Sequence, residues 1–533
     1  MIKSVKWLLL AAFLLSGCSN SNFPKEYRLV VLFAVDQFPG ELLQRIGHEF
    51  TGGLRWLLDN GIDYQNAHHE HGNTVTGTAH YVISSGRHPG PAGVLGNSWY
   101  VRELGRSVNC VEDSLAKPVG GNKKARSYRQ TNSTSLGDWM KKSDPASKVF
   151  TVAGKDRAAV FMGGKNADLA IYYDYKGSFM TSDYYADELP SWLVEYNNEL
   201  NFAVYRDSIW VHIANPGFYE KYGTADHHDG ELDLFDNDTY SPTLPVSLNS
   251  RSEDETNEYI GATPWFDRTV IELAAKLVEE EQLGSDNSTD LLGVGISTAD
   301  WIGHSHGPHS HEVLDYFLRL DRYLENFIQS IDDQVGLDNV LFVLTSDHGV
   351  GPLPEYLVTQ GIDAGRLDRK DFKQRIKKVE KWSNGQIKFY GDGFYFLNEM
   401  SPKEEIGVLD KILQTFKGVY SIEKWMTKDE ILSLEGNDPF SRRMRNMIHP
   451  EKSPDVIAVM KEYYSERFPL GATHGTPYDY DTHVPILFSH VGVKGKSVER
   501  DIATVDIAPT IAKLVGVDYP DEVDGQVLHE VIQ

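Results

Sequence analysis

Asp36 ends the apolar run RLVVLFAV (28–35), and Asp347-His348 follows VLFVLT (340–345). Asp300 and His304 follow the apolar stretch 291–298 as Asp300-Trp-Ile-Gly-His304. His474 lies in Ala472-Thr473-His474-Gly475-Thr476-Pro477, a short loop before VPILFS (484–489). A carboxylate and an imidazole four residues apart point the same way when the segment makes a helical turn. Oxygen and nitrogen donors without thiolate suit Zn2+, and Mn2+ or Fe are compatible. Six ligands exceed what one four-coordinate ion with an open position accepts. They suit two ions, each keeping a place for substrate or hydroxyl. Singly, each residue is weak: an Asp-His pair after a strand is commonly a hydrogen-bonded turn. Taken alone, the run His304-Ser-His306-Gly-Pro-His309-Ser-His311 reads as a solvated histidine-rich loop. The joint pattern carries the metal reading.

The segment Asn73-Thr74-Val75-Thr76-Gly77-Thr78-Ala79-His80-Tyr81 is crowded with hydroxyls. A threonine hydroxyl is a poor nucleophile at neutral pH, but coordination to a dication favours its alkoxide. Such an oxygen would attack phosphorus and give a covalent intermediate that water then hydrolyses. Asn97, in Gly96-Asn97-Ser98-Trp99-Tyr100, offers an amide donor for a phosphoryl oxygen. Without the metal pattern, the threonines read as a turn with local hydroxyl bonds. Thr74, Thr76 and Thr78 all stand as candidates at this point.

These side chains need a scaffold that brings distant segments to one edge. The runs 28–35, 148–153, 291–298, 340–345 and 484–489 read as buried parallel strands. In the first four the polar residues come just after the run, at the carboxyl edge of a sheet, where open α/β sheets build sites. Helical patterns alternate with them. Residues 41–60 end in Asn60-Gly61, and 263–282 open with a capping threonine and Pro264. Residues 310–331 have Ser310 as N-cap, with Val313, Leu314, Phe317, Leu320, Leu324, Phe327 and Ile331 on one face. Residues 503–514 also read as a helix. The alternation predicts a doubly wound α/β fold, a mostly parallel sheet with helices on both faces. Two less regular stretches, about 172–258 and 353–470, read as inserted caps. The acidic run Asp233-Leu-Phe-Asp236-Asn-Asp238 lacks the glycine and terminal glutamate of an EF-hand loop and reads as solvated surface.

Composition bounds the rest. With 41% hydrophobic and 24% charged residues, the chain is globular, not disordered, collagen-like or coiled-coil. A net charge of −25 argues against binding a nucleic acid polymer, yet leaves room for a local cationic pocket. The two cysteines, Cys18 and Cys110, build neither a disulfide framework nor a thiolate zinc site. Cys110 reads as a small buried hydrophobe. Lys3 and Lys6 accompany an apolar run, 7–15, that is too short to span a bilayer. It ends in Leu15-Ser16-Gly17-Cys18, which resembles a bacterial lipobox and implies cleavage before Cys18 and lipid attachment there. Residues 1–17 are therefore expected to be a lipoprotein signal peptide and 18–27 the lipidated cysteine with its tether. Residues 28–533 are expected to be one catalytic domain with two insertions. The mature protein would be exported and lipid-anchored in the bacterial cell envelope, facing the periplasm or the cell surface.

Together these motifs resemble the alkaline phosphatase superfamily, most closely the phosphate-irrepressible (PafA-type) bacterial alkaline phosphatases. These are relatives of the nucleotide pyrophosphatase/phosphodiesterases. The resemblance runs from Val35-Asp36-Gln37 to Val505-Asp506-Ile507-Ala508-Pro509-Thr510. Its most specific pieces are Gly96-Asn97-Ser98-Trp99-Tyr100, Lys155-Asp156-Arg157-Ala158, Asp300-x-x-Gly303-His304, Ser346-Asp347-His348-Gly349 and His474-Gly475-Thr476-Pro477-Tyr478, all in the family's order. It implies a phosphate monoesterase with two Zn2+ and Thr76, four residues before His80, as the nucleophile that carries a phosphothreonine intermediate. By the same resemblance Asp36, Asp347 and His348 hold one zinc together with the Thr76 oxygen. Asp300, His304 and His474 hold the other, and Asn97 donates to a phosphoryl oxygen. Many relatives have proline where this chain has Asn73.

Lys155 and Arg157 set the subclass. A monoester carries nearly two negative charges on the transferred group and a diester one, so a pair of cations favours the monoester. At an extended strand end residues two apart share a face, so Lys155 and Arg157 are expected to converge while Asp156 points away. The diesterase relatives generally lack the pair. Phosphodiester or nucleotide pyrophosphate hydrolysis on the same metals is the alternative activity. A non-catalytic phosphate- or zinc-binding protein would have lost some of these groups, and no Cys/Ser-x-Pro-x-Arg sulfatase motif is present. Small phosphate monoesters are the expected partners, with the oligomeric state open. Metabolic labelling with an alkynyl fatty acid should tag the exported wild type and leave Cys18→Ala unlabelled. An unlabelled wild type would contradict the anchor.

Overall fold

A computed structural model describes residues 23–24, 26–233, 243–248, 252–466 and 469–532. The expected signal peptide and Cys18 lie outside the described residues, as does the acidic run beyond Asp233. Phe23 and Tyr27 are buried in the core, so the body begins before the end of the expected 18–27 tether. Aromatic side chains of this size favour burial over exposure.

Among the described residues a ten-stranded sheet spans the molecule. Its strands are β1 (Leu29–Val35), β2 (Gly61–Tyr64), β3 (Pro118–Val119), β4 (Val149–Ala153), β5 (Leu169–Tyr173), β6 (Phe179–Ser182), β7 (Asp290–Ile296), β8 (Val340–Ser346), β9 (Ile486–Ser489) and β10 (Lys496–Val498). Their order is β10-β2-β9-β8-β1-β7-β4-β5-β6-β3. The central strands β8, β1, β7, β4 and β5 are parallel, as a doubly wound fold requires. β9 is not: it pairs antiparallel with β8 and β2. The chain reaches β9 from the carboxyl edge, through the loop that carries His474, and must run back across the sheet.

Both faces of β1 are buried. Leu29, Val31, Phe33 and Val35 enter one apolar cluster and Val30, Leu32 and Ala34 the other, following the two-residue period of a strand. The site-bearing helices are α1 (Thr76–Ser85), α2 (Asp156–Gly163), α3 (Pro264–Glu280), α4 (Thr298–His306), α5 (His311–Gln334) and α6 (Ile507–Leu514). α3 and α5 cover one face; α1, α2 and α6 contribute to the cluster on the other. Ser310 caps α5 as expected, its Oγ accepting from the Val313 N–H at 3.2 Å. Thr263 does not cap α3; its hydroxyl donates to the Ile260 carbonyl instead.

The helix expected over 41–60 is two, Gly40–Ile46 and Gly53–Asp59. Gly53 passes so near α5 that a Cβ there would lie 2.4 Å from the Leu324 carbonyl carbon. The break exposes backbone donors, and the Asp321 carboxylate accepts from Thr51, Gly52, Leu54 and Arg55 at 2.7–3.2 Å. The first expected insertion is also displaced, because β5 and β6 carry the main sheet on to Ser182. Farther on, Ile387–Tyr390, Gly393–Phe396, Ile422–Thr427 and Val456–Met460 form a separate antiparallel sheet, whose own apolar cluster includes Phe394 and Phe416.

Register is what positions the site. Val35 lies opposite both Ile296 and Ser346, and Ala153 lies opposite Gly295. Asp36, Ser297 and Asp347 therefore leave the sheet side by side, with Lys155 one strand farther along. The chain crosses from β1 to both sides, so this edge is the switch point where open α/β sheets hold ligands.

Candidate active site

Asp300 and His304 occupy successive turns of α4, which places His304 Nε2 3.2 Å from Asp300 Oδ1. His474 Nε2 lies 3.4 Å from the same oxygen. On the next strands His348 Nε2 lies 3.4 Å from Asp36 Oδ1 and 3.4 Å from Asp347 Oδ2. The six expected ligands thus sort into the triads Asp300-His304-His474 and Asp36-Asp347-His348.

Each imidazole turns Nδ1 to a carbonyl: His304 to Ala472 at 2.9 Å, His474 to Thr74 at 2.7 Å and His348 to Gly349 at 3.0 Å. A carbonyl only accepts, so Nδ1 carries the proton and Nε2 the lone pair. Nε2 and the carboxylate oxygens are then acceptors facing acceptors. Asp36 Oδ1, Asp347 Oδ2 and His348 Nε2 are buried without a hydrogen-bond donor. Such contacts are unfavourable without a cation between them. Tetrahedral bonds of about 2.0–2.1 Å give a ligand–ligand edge of roughly 3.3 Å, in line with these separations. The donor set fits zinc-type ions at both triads.

One cation of the chain's own reaches both triads. Lys155 Nζ lies 2.5 Å from Asp36 Oδ2 and 2.5 Å from Asp300 Oδ2. Burial disfavours its charge, yet Asp300 and Asp36 hold the ammonium above its ordinary range. Burial pushes Asp36 up to about 7 against the pull of Lys155, and pushes Asp347 well up. Burial acts on Asp300 too, yet it is held well below the usual carboxylate range, with the Lys155 ammonium 2.5 Å away among the causes. A single ammonium cannot balance three buried carboxylates.

Lys155-Asp156-Arg157 does not form the expected extended strand end. α2 begins at Asp156, which puts Lys155 at the N-cap and Arg157 in the first turn. Asp156 does not point away. It is buried, with Arg126 Nε at 2.7 Å, Lys123 Nζ at 3.2 Å and Arg157 Nη1 at 3.6 Å. A carboxylate is favoured at a helix N-terminus, and here it gathers cations around itself. This holds Arg157 where its charge is felt at Asp36 and His80, although burial is the larger influence on both.

Thr76 opens α1, preceded by an extended Val75. The Thr74 hydroxyl donates to the Thr476 carbonyl at 3.1 Å and that of Thr78 to the Asn73 carbonyl at 2.6 Å. The Thr76 hydroxyl makes no hydrogen bond among the described residues. Its backbone carbonyl accepts from His80 Nδ1 at 2.9 Å, and that nitrogen lies 3.5 Å from Asp347 Oδ2. The Thr74 carbonyl holds His474. Thr76 therefore stands on a stretch tied to both triads, at a helix N-terminus whose partial charge favours an anionic oxygen. Asn97 Oδ1 accepts from the Gly77 N–H at 2.7 Å, which leaves its NH2 group as the donor. A Cβ on Gly77 would lie 2.8 Å from the buried Cys110 Sγ and 3.1 Å from Asn97 Oδ1, so this contact needs glycine.

Residues 30–475 match the family described as type I phosphodiesterase / nucleotide pyrophosphatase. The chain belongs to that family, within the alkaline phosphatase superfamily. The alkaline phosphatase PafA of Elizabethkingia meningoseptica is 30% identical over 100% of both chains. The alkaline phosphatase PhoV of Synechococcus elongatus is 29% identical over 95% of this chain and 93% of its own. The crystal structure of wild-type PafA matches with a TM-score of 0.87 at 30% identity, over 95% of this chain and 99% of that one.

Sequence reasoning placed Gln37 in the family motif without giving it a role. Its backbone is left-handed, at φ 60°. From there its N–H donates to Asp347 Oδ1 at 3.1 Å and its Nε2 to Asp300 Oδ1 at 2.8 Å, one residue bracing a carboxylate of each triad. A Cβ on Gly303 would fall 1.7 Å from Gln37 Oε1, so the glycine of Asp300-x-x-Gly303-His304 is the sequence signal for this contact. Partners that orient metal ligands typically contribute about 10–100-fold in affinity. Gln37→Ala should weaken zinc binding by about that factor in a chelator competition. Unchanged affinity would remove the bracing role.

Proposed function

We propose that this chain is an alkaline phosphatase that hydrolyses phosphate monoesters through a phosphothreonine formed on Thr76. The observation that supports it most is the pair of acceptor-only triads beside a threonine whose hydroxyl the fold leaves uncommitted. Two zinc ions, one held by Asp36, Asp347 and His348 and one by Asp300, His304 and His474, would supply Lewis-acid charge for an in-line displacement. Thr76 Oγ loses its proton to solvent and forms the bond to phosphorus as the ester bond breaks, and the departing alkoxide takes up a proton from solvent. Water then attacks the phosphothreonine, inorganic phosphate leaves and the hydroxyl is restored. Through both steps Asn97 donates its NH2 group to a non-bridging oxygen, and Lys155 and Arg157 balance the remaining phosphoryl charge.

The monoester preference rests on those cations. A transferred group with nearly two charges gains more from a buried ammonium and a guanidinium than a diester does. A cavity of about 470 Å³ beside Asn97 and His474, lined in part by Arg369, Phe372, Lys373, Phe389 and Tyr390, is where the leaving group would lie. Its size supports, as a second reading, some turnover of diesters or nucleotide pyrophosphates. Export and lipidation at Cys18 complete the proposal. Among the described residues no helix is long and apolar enough to cross a membrane.

With an aryl phosphate monoester, Thr76→Ala should lower kcat by roughly three orders of magnitude or more. Full activity in that variant would dispose of the covalent mechanism. The pair Lys155→Ala with Arg157→Ala should reduce kcat/KM about 100-fold more for an aryl monoester than for the matching diester. Equal losses on both substrates would contradict the charge argument.

A further inference from the structure

The histidine-rich run after His304 is not a solvated loop. His306 is buried, and His311 opens α5 with its side chain only 12% exposed. His311 faces two residues of the segment that precedes α3. Its Nδ1 lies 3.1 Å from Asp226 Oδ1 and 3.1 Å from His212 Nε2, and His212 Nε2 lies 4.0 Å from Asp226 Oδ1.

The same tautomer argument applies. His311 Nε2 meets the Thr224 carbonyl at 3.1 Å, so the proton of the neutral ring sits there and Nδ1 holds the lone pair. That lone pair points at a carboxylate oxygen, the acceptor-to-acceptor contact seen in both catalytic triads. The three separations straddle the edge of roughly 3.3 Å expected for a tetrahedral ion with bonds of about 2.0–2.1 Å.

Contacts outside the cluster hold its members in place. Asp315, one turn beyond His311, accepts from Trp210 Nε1 at 2.5 Å, from the Ile213 N–H at 2.8 Å and from the Tyr219 hydroxyl at 2.7 Å. Arg319, paired with Asp315, donates to the Val211 carbonyl at 2.6 Å. Together they fix the segment on which His212 sits, just after the short strand Ile209–Trp210. The Thr224 N–H donates to the His309 carbonyl at 2.9 Å, which sets the approach of Asp226. Two further acids beside the cluster have carboxylate oxygens without a hydrogen-bond donor. Glu312, the next residue of α5, is fully buried with neither carboxylate oxygen hydrogen-bonded, and Glu231 Oε1 is buried in the same state.

We propose that His212, Asp226 and His311 form a third metal site, for a divalent ion of the zinc type, with a structural rather than a catalytic role. The fourth position, on the partly exposed side, is left to water. A bound ion would fasten residues 209–226 to the start of α5, the turn that follows the His304-bearing α4. The site shares no residue with either catalytic triad, and its existence does not depend on the reaction.

Zinc content of the full chain, loaded with excess Zn2+ and desalted, tests this directly. Wild type should retain about three equivalents per chain, and His212→Ala about one fewer. The variant should keep its phosphatase kcat within about twofold while melting at lower temperature, because a bound ion stabilises only the folded chain. Asp226→Asn keeps the shape of the side chain and should show the same loss. Wild type holding two equivalents, or variants retaining as much zinc as wild type, would overturn the proposal in favour of a proton shared between Asp226 and the His311 ring. If neither variant folds, the wild-type stoichiometry alone decides between three and two.

Discussion

Acceptors that face acceptors govern the carboxyl edge of this sheet. The lone pairs of His304, His474 and His348 meet the oxygens of Asp300, Asp36 and Asp347 at 3.2–3.4 Å, in surroundings that are almost wholly buried. For two carboxylates such as Asp36 and Asp347, whose oxygens approach within 4.8 Å, the scale is that of unit charges 4 Å apart, about 1 kcal/mol in water and about 4 kcal/mol at an effective dielectric of 20. The same contacts that would be trivial on the surface are therefore severe here, and only cations relieve them. Lys155, bridging Asp36 and Asp300, relieves part of the strain. The rest is left unrelieved by the described side chains, which is the electrostatic basis for reading the two triads as metal sites.

Holding like-natured groups together requires a scaffold that does not yield. The parallel register of β1 against β7 and β8 aligns the departing acids, and both faces of β1 are packed. Carbonyls then fix each ring by its Nδ1, so no imidazole can rotate to hydrogen-bond its neighbouring carboxylate. Gln37 ties the two triads to each other through Asp347 and Asp300. The hydroxyls of the 74–78 turn follow the same economy of contacts. Thr74 and Thr78 direct their hydroxyls to carbonyls and shape the turn, while that of Thr76 takes no hydrogen-bond partner among the described residues.

Much of this was legible in the sequence, for a physical reason. Strands buried on both faces must be continuously apolar, so an acid at the end of such a run marks a site edge. Asp36, Asp300 and Asp347 announce themselves that way. The division of six ligands into triads depends on strand neighbours and was implied only by family resemblance. The direction of β9 was misread because an apolar run has no polarity of its own; only its connection to the His474 loop sets it. Asp156 was misread because the helix starts one residue after Lys155, which brings it into a cluster of cations instead of out to solvent. Gln37 acts through a left-handed backbone, and its only sequence signal is Gly303, which leaves room for its side chain. The His212-Asp226-His311 cluster draws two members from a stretch with little periodicity, and its geometry rests on Asp315 contacts that no local pattern encodes.

Zinc-edge anomalous diffraction from crystals of the metal-loaded protein bears most directly on the central claim. It predicts one peak inside Asp36-Asp347-His348 and one inside Asp300-His304-His474, each bonded through histidine Nε2 with Nδ1 still on its carbonyl. Triads without a peak, or rings turned so that Nδ1 binds the metal or Nε2 donates to a carboxylate, would contradict the account.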